Sequence, residues 1–452
     1  ETNDELSKFY TDYCSTRPTV GMSKQDWTLP EPNVSLYTDE MMENAKAYSD
    51  TAMVVITRVG GEGADLPTDM SAVVDGSWIR RVAEYRGSEK GAGYYNGTYD
   101  DSLNEGNDWD KGDHFLQLSN REEELIDLVT SNFDKVVVVY NGANAFEMDW
   151  VKDYPQIKGV LLCPGTGQSG FEGFGRVVAG EVNPSGRTAD TYVADLTASP
   201  WWNNFGDFKY TNASEFNSNA SGFDPEGTTP SFVNYVEGIY VGYKYYETRY
   251  EDAVMEQGNA SGNAGIFASK GDSWVYGEEV AYPFGYGMSY TTFEQALESV
   301  TYDAATDSFT VLVKVTNTGN VAGKEVVQVY GQQPYTEFDR ANAIEKASVQ
   351  LVGFGKTNIL QPGESETVSV TVDRKELTVY DEHVNKTYIL EAGDYYLSVG
   401  LDAHDAVNNI LAAKGYAPIA QETPAAEGAE EAETATLTAN GAAAMDAPGD
   451  AA

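Results

Sequence analysis

Residues 51–65 read TAMVVITRVGGEGAD. The first seven carry no alternating polar face, the composition of a buried strand. Strand formers stop at Arg58, and one acid, Glu62, stands between Gly61 and Gly63. Glycines permit positive φ and let a ligand approach the backbone closely. A carboxyl held on such a turn and screened from water has a raised pKa, as a general acid needs near neutral pH. A surface turn with an ordinary solvated glutamate fits the same spacing.

Outward from this stretch, helical and strand patterns alternate. Thr38 to Asp50 reads as a helix with an acidic first turn. Ser119 to Asn132 reads as a second helix, opened by the capping box Ser119/Glu122, with Leu125, Ile126, Leu128 and Val129 as its apolar face. Lys135 to Tyr140 and Gly159 to Cys163 are continuous strand runs. This order implies a mostly parallel sheet covered on both faces, an α/β three-layer sandwich. Ligands of such sheets bind in loops at the carboxyl ends of strands, where Glu62 stands. Residues 200–290 read as long surface loops plus the strand-like GIYVGYKYY, whose tyrosines suit a core. From about residue 300 the period becomes two, as in Phe309, Val311, Val313 and Val315, with turns such as Pro362-Gly363 between strands, which predicts a β-sandwich. The expected organisation is an α/β domain over 1–290, a β-sandwich over 291–411 and a low-complexity, disordered linker or tail over 412–452.

The formal net charge of −42 disfavours nucleic acid and anionic membranes as partners, since phosphates would be repelled. Cys14 and Cys163 make no disulfide framework or metal-ligand spacing, and Cys163, ending an apolar run, reads as a buried thiol. His114, His383 and His404 are too scattered in sequence to support a metal site or a Ser/His/Asp triad. No apolar run approaches the ~20 residues of a membrane span. Sequons at Asn33, Asn96, Asn212, Asn219, Asn259 and Asn385 lean weakly toward an extracytoplasmic location.

Gly165, Gly167 and Gly170 spell G-x-G-x-x-G after a strand. Pro164 before it, glycines inside the short following helix and the turn EVNPSG after that helix favour a tight strand-to-helix turn over a dinucleotide site. No cofactor or metal is expected. Trp78, Tyr85, Tyr94, Tyr95, Tyr99 and Trp109 either line a ligand site or pack their own loop. Asp108, Asp110 and Asp113 either bind hydroxyls or a cation, or form a solvated acidic loop.

ITRVGGEGAD, LSNREEELIDLV, KVVVVYNGANAFEMDWV, GVLLCPGTGQSGFEGFGRVVAGEVNPSGRT, YVEGIYVGYKYYE, YPFGYGMSYTTFE and GNVAGKEVVQVY follow one another in this order. Together they closely resemble the second half of family 3 glycoside hydrolases, the β-glucosidase and β-xylosidase family, over about residues 40–400. The resemblance implies an α/β sandwich domain that lends the general acid/base, then a fibronectin type III-like β-sandwich. The family's acid/base glutamate maps to Glu62, and Arg58, Asp65, Trp78, Tyr95 and Trp109 become candidate substrate-binding residues. It also implies a retaining mechanism, a β-linked glucoside or xyloside substrate and a (β/α)8 barrel carrying an aspartate nucleophile. No barrel or nucleophile motif is found here, and Asp26 and Trp27 in KQDWTLP follow no strand. Leu66 stands where the family usually has Arg, and the stretch Pro67 to Phe115 is longer than usual. The chain is therefore expected to be a fragment, or the acid/base half of a domain-permuted enzyme. The rivals are a non-catalytic carbohydrate-binding or scaffolding module, and a nucleotide-dependent enzyme using GTGQSG.

Overall fold

Alternation of helix and strand around Thr51 builds a parallel sheet. The computed structural model describes residues 2–16, 27, 29, 31–60, 66–75, 108–204, 212, 235, 237–256, 275–417 and 442–446, the last as backbone alone. The chain divides into two compact units. The first is Glu1–Gly167 with Trp202–Tyr235 and Ala426–Gly428; the second is Gln168–Trp201 with Val236–Ala425 and Ala429–Ala452. Residues 168–201 thus group with the β-sandwich, as do the described residues between 237 and 290.

In the first unit, helices α1 (Asp4–Tyr13), α2 (Asp39–Tyr48), α3 (Met70–Val74) and α4 (Asn120–Thr130) accompany strands β1 (Thr51–Thr57), β2 (Lys135–Asn141) and β3 (Ile157–Leu162). The strands pair in parallel in the order β1-β2-β3. The Thr38 hydroxyl accepts from Met41 N at 3.2 Å and starts α2. Both halves of the Ser119/Glu122 capping box form, starting α4, which lies against β1 and β2. Val54, Ile56, Val136, Val138 and Tyr140 are buried, whereas Met53 and Val55 on the other face of β1 are 41% and 51% exposed. A continuous apolar run conceals this difference between faces. Cys163, expected to be buried, is only half-buried just past β3, and Cys14 is exposed.

In the second unit, α5 (Gly170–Val178), α6 (Tyr243–Met255), α7 (Tyr276–Glu279) and the short β4 (Tyr192–Val193) and β5 (Val280–Tyr282) join a β-sandwich. The sandwich comprises β6 (Phe293–Asp303), β7 (Ser308–Asn317), β8 (Val326–Gln332), β9 (Gln350–Lys356), β10 (Ser365–Asp373), the ribbon β11 (Val379–Asp381) with β12 (Thr387–Ile389), and β13 (Asp394–Gly400). Helices α8 (Glu337–Asn342) and α9 (Ala403–Ala413) and strand β14 (Ala442–Asp446) complete it. Its two main sheets run β10-β7-β6 and β14-β13-β8-β9. The alternation in β7 puts Phe309, Val311, Val313 and Val315 into one core with Val327, Val329, Leu397 and Val399. The turn EVNPSGRT is fixed to this sandwich. Arg187 pairs with Glu325, and the Asn183 side-chain oxygen accepts from Ser289 Oγ at 2.9 Å and Tyr290 N at 2.8 Å.

Two expectations change here. The strand-like GIYVGYKYY leads into helix α6, with Tyr240, Tyr245, Tyr246 and Tyr250 buried. Aromatic strand propensity reflects fit to a half-buried surface, and tertiary packing overrides it. The tail is not wholly unstructured, since Ala442–Asp446 pairs antiparallel with β13, from Ser398↔Ala442 to Asp394↔Asp446. The open edge of β13 offers unpaired N–H and C=O groups to any segment that reaches it.

Candidate active site at the end of strand β1

Arg58 follows β1 directly and is 4% exposed. A guanidinium has five N–H groups, and here each meets an acceptor. Nε donates to Phe115 O at 2.6 Å, and Nη1 to Thr57 O at 2.8 Å and Glu122 Oε1 at 2.7 Å. Nη2 donates to Gln117 O at 2.5 Å and Glu122 Oε2 at 2.6 Å. The guanidinium also lies 4.8 Å from the centroid of the Phe146 ring. Glu122 therefore serves twice, capping α4 through Ser119 N at 2.9 Å and holding Arg58 by a fork-to-fork ion pair. Arg58 thus clamps the strand end to residues 115–122, with no N–H left over for a ligand in this arrangement.

The neighbouring strand ends are tied as tightly. Arg58 N donates to Asn141 O at 3.2 Å, and Asn141 Nδ2 to Cys163 O at 2.7 Å, so the carboxyl ends of all three strands are linked. A Cβ on Gly60 would come within 2.8 Å of Asn144 Oδ1, so the chain leaves β1 packed against the loop after β2. Leu116 N donates to His114 Nδ1 at 3.1 Å, which assigns the ring proton to Nε2, 2.8 Å from Glu147 Oε1. This pair fixes residues 114–116, the segment that Arg58 also holds.

The other candidates are placed unevenly. Glu62 and Asp65 lie outside the described residues, as do Trp78, Tyr85, Tyr94, Tyr95 and Tyr99. Trp109 is 8% exposed, in a cluster with Trp27, Leu29, Met70, Val73 and Phe115. Asp108 is buried 3.5 Å from the Arg121 guanidinium, and Asp113 accepts from Asp110 N at 2.6 Å, closing a turn. Gly167 in the G-x-G-x-x-G stretch takes φ +63° just before α5. No group of three His, Cys, Asp or Glu side chains among the described residues is arranged to hold a metal. Sequence reasoning saw Glu122 only as a cap and missed it as the partner of Arg58. Nothing in the spacing of two residues so far apart in the chain signals their contact.

An α/β domain with its loops gathered at the carboxyl edge of a parallel sheet, followed by an antiparallel β-sandwich, is the class this chain defines. Residues 33–243 match the glycosyl hydrolase family 3 C-terminal domain, and residues 325–403 a fibronectin type III-like domain. Beta-glucosidase A of Butyrivibrio fibrisolvens is 30% identical over 423 residues, 89% of this chain and 41% of that protein. A solved β-glucosidase from Paenibacillus barengoltzii is similar with a TM-score of 0.60 at 27% identity, over 89% of this chain and 34% of that one. β-Glucosidase 3B from Thermotoga neapolitana, solved with glucose, gives 0.58 at 27% identity, over 89% of this chain and 43% of that one. The chain belongs to glycoside hydrolase family 3 and carries that family's C-terminal α/β domain and its fibronectin type III-like domain. It spans well under half the length of these relatives.

Proposed function

We propose that this chain supplies the general acid/base of a retaining β-glucosidase-like enzyme, with Glu62 as that group. A (β/α)8 barrel domain supplies the carboxylate nucleophile. The observation that carries this reading is the Arg58 clamp, which immobilises the end of β1 four residues before Glu62 in the sequence GGEGAD. The names of the relatives support a β-glucoside as substrate.

In this mechanism the two carboxyl groups stand roughly 5–5.5 Å apart across the glycosidic bond. The nucleophile attacks the anomeric carbon while Glu62 gives its proton to the leaving oxygen. Glu62, now a carboxylate, then takes a proton from water as that water displaces the enzyme from the sugar. Glu62→Gln in the complete enzyme is expected to slow hydrolysis of glucosides with poor leaving groups by about 10²–10⁴. Activated aryl glucosides, which need little protonation to depart, are expected to keep most of their glycosylation rate. Equal slowing of both classes, or slowing of neither, would remove Glu62 from the acid role.

A further inference from the structure

The second unit contains a cavity of about 250 Å³ between α6, the end of β8, β13 and the end of α9. We propose that it binds a neutral sugar, at the size of a single hexose ring. This inference stands on the cavity's own chemistry and does not depend on the role of Glu62.

Buried hydrogen bonds set the cavity's shape. Lys346 Nζ donates to Pro334 O at 2.8 Å and Asp339 Oδ2 at 2.7 Å, and also pairs with Glu391, so its three protons are used. Gln332 Nε2 donates to Ser348 O at 2.6 Å and to Glu251 Oε1 at 3.0 Å, which also accepts from Lys414 Nζ at 2.7 Å. These bonds leave capacity turned toward the space. Among the described residues, none donates to Glu251 Oε2 or Gln332 Oε1 and none bonds the Tyr335 hydroxyl, and Lys414 has further protons to donate. Acceptors and donors thus share one wall system with the rings of Tyr335 and Tyr396; Arg340 lies 5.0 Å from the first ring's centroid and Lys414 Nζ 5.5 Å from the second's, and the remaining ring surface is apolar, as sugar C–H groups require.

Charge narrows the ligand further. Lys346 is matched by Asp339 and Glu391, and Lys414 by Glu251, while Asp394 also lines the cavity. The acidic surplus disfavours phosphates and carboxylates. A hydroxyl, by contrast, donates to Glu251 or Gln332 and accepts from Lys414, so a neutral polyol matches both kinds of wall group.

The test is calorimetric titration of the full chain with glucose, xylose and glucosamine, repeated on Tyr335→Ala and on the nearly isosteric Glu251→Gln. Saturable binding of a neutral sugar, weakened about tenfold or more by each variant at unchanged melting temperature, supports the proposal. No saturation, binding indifferent to both variants, or binding of glucosamine alone would overturn it. Photo-cross-linking with a diazirine-bearing glucoside guards against a misfolded variant. Label on peptides around residues 248–252, 332–335 or 394–414 agrees with the site, and label confined elsewhere contradicts it.

Discussion

Arg58 shows how one buried side chain can fix the end of a strand. Its charge is buried, and it is tolerable there because Glu122 and three backbone carbonyls satisfy it. Removing one member of such a pair strands the other charge and costs about 3–5 kcal/mol. Glu122→Gln and Arg58→Met are therefore each expected to destabilise the first unit on that scale in a denaturant titration. Loss of less than about 1 kcal/mol would show a pair worth no more than a surface ion pair. The glycine-flanked Glu62 stands out in the sequence because that feature is local, and the residue itself lies outside the described residues. Trp109 could not be assigned in the same way. Sequence left it between sugar platform and loop packing, and the structure puts its ring beside Met70 and Phe115.

Helices α6 and α9 meet through a buried polar cluster. His404 Nδ1 lies 2.9 Å from Glu247 Oε2, Tyr276 Oη donates to Glu247 Oε1 at 2.5 Å, and Tyr276 stacks on the imidazole at 3.9 Å. Burial works against the imidazolium, but Glu247, Asp402 and Asp405 outweigh it and raise the His404 pKa above its ordinary value. Asp402, which caps α9, is pushed up to about 7, by burial first and the Asp405 charge second. Burial likewise raises Asp405. In all three the folded pKa exceeds the unfolded one. Their contribution is therefore complete below the unfolded values, ~3.9 for Asp and ~6.5 for His, and is lost as pH rises through the folded values. The melting temperature of the second unit is expected to fall as pH rises from about 4 through 7, with His404→Gln flattening the slope above the ordinary histidine value. A transition that strengthens over that range would refute this account. Strand β14 belongs to the same scale. Deleting residues 442–446 leaves β13 as an open edge, and concentration-dependent association in size-exclusion chromatography is the expected result. A strictly monomeric deletion variant would show that another segment protects that edge.

Across the whole molecule, the net charge of −42 makes self-repulsion a term in stability. Raising ionic strength from about 0.01 to 0.15 M shortens the screening length from ~30 to ~8 Å, so the melting temperature is expected to rise with salt. A flat or falling response in calorimetry would show that local ion pairs outweigh the long-range repulsion. No helix among the described residues is long and apolar enough to cross a membrane. The sequence by itself determined helices α2 and α4, strands β1, β2 and β3 with their parallel sheet, the sandwich and the family. Each of these rests on periodicity, caps and ordered motifs within short stretches of chain. Only the tertiary structure decided that Arg58 is held by Glu122, that a tyrosine-rich stretch becomes helix α6, that an alanine-rich segment pairs with β13, and that a polar cavity opens beside α6. Those outcomes depend on which distant groups meet, and the energies of burial, edge pairing and charge pairing that select them exist only once the chain has closed on itself.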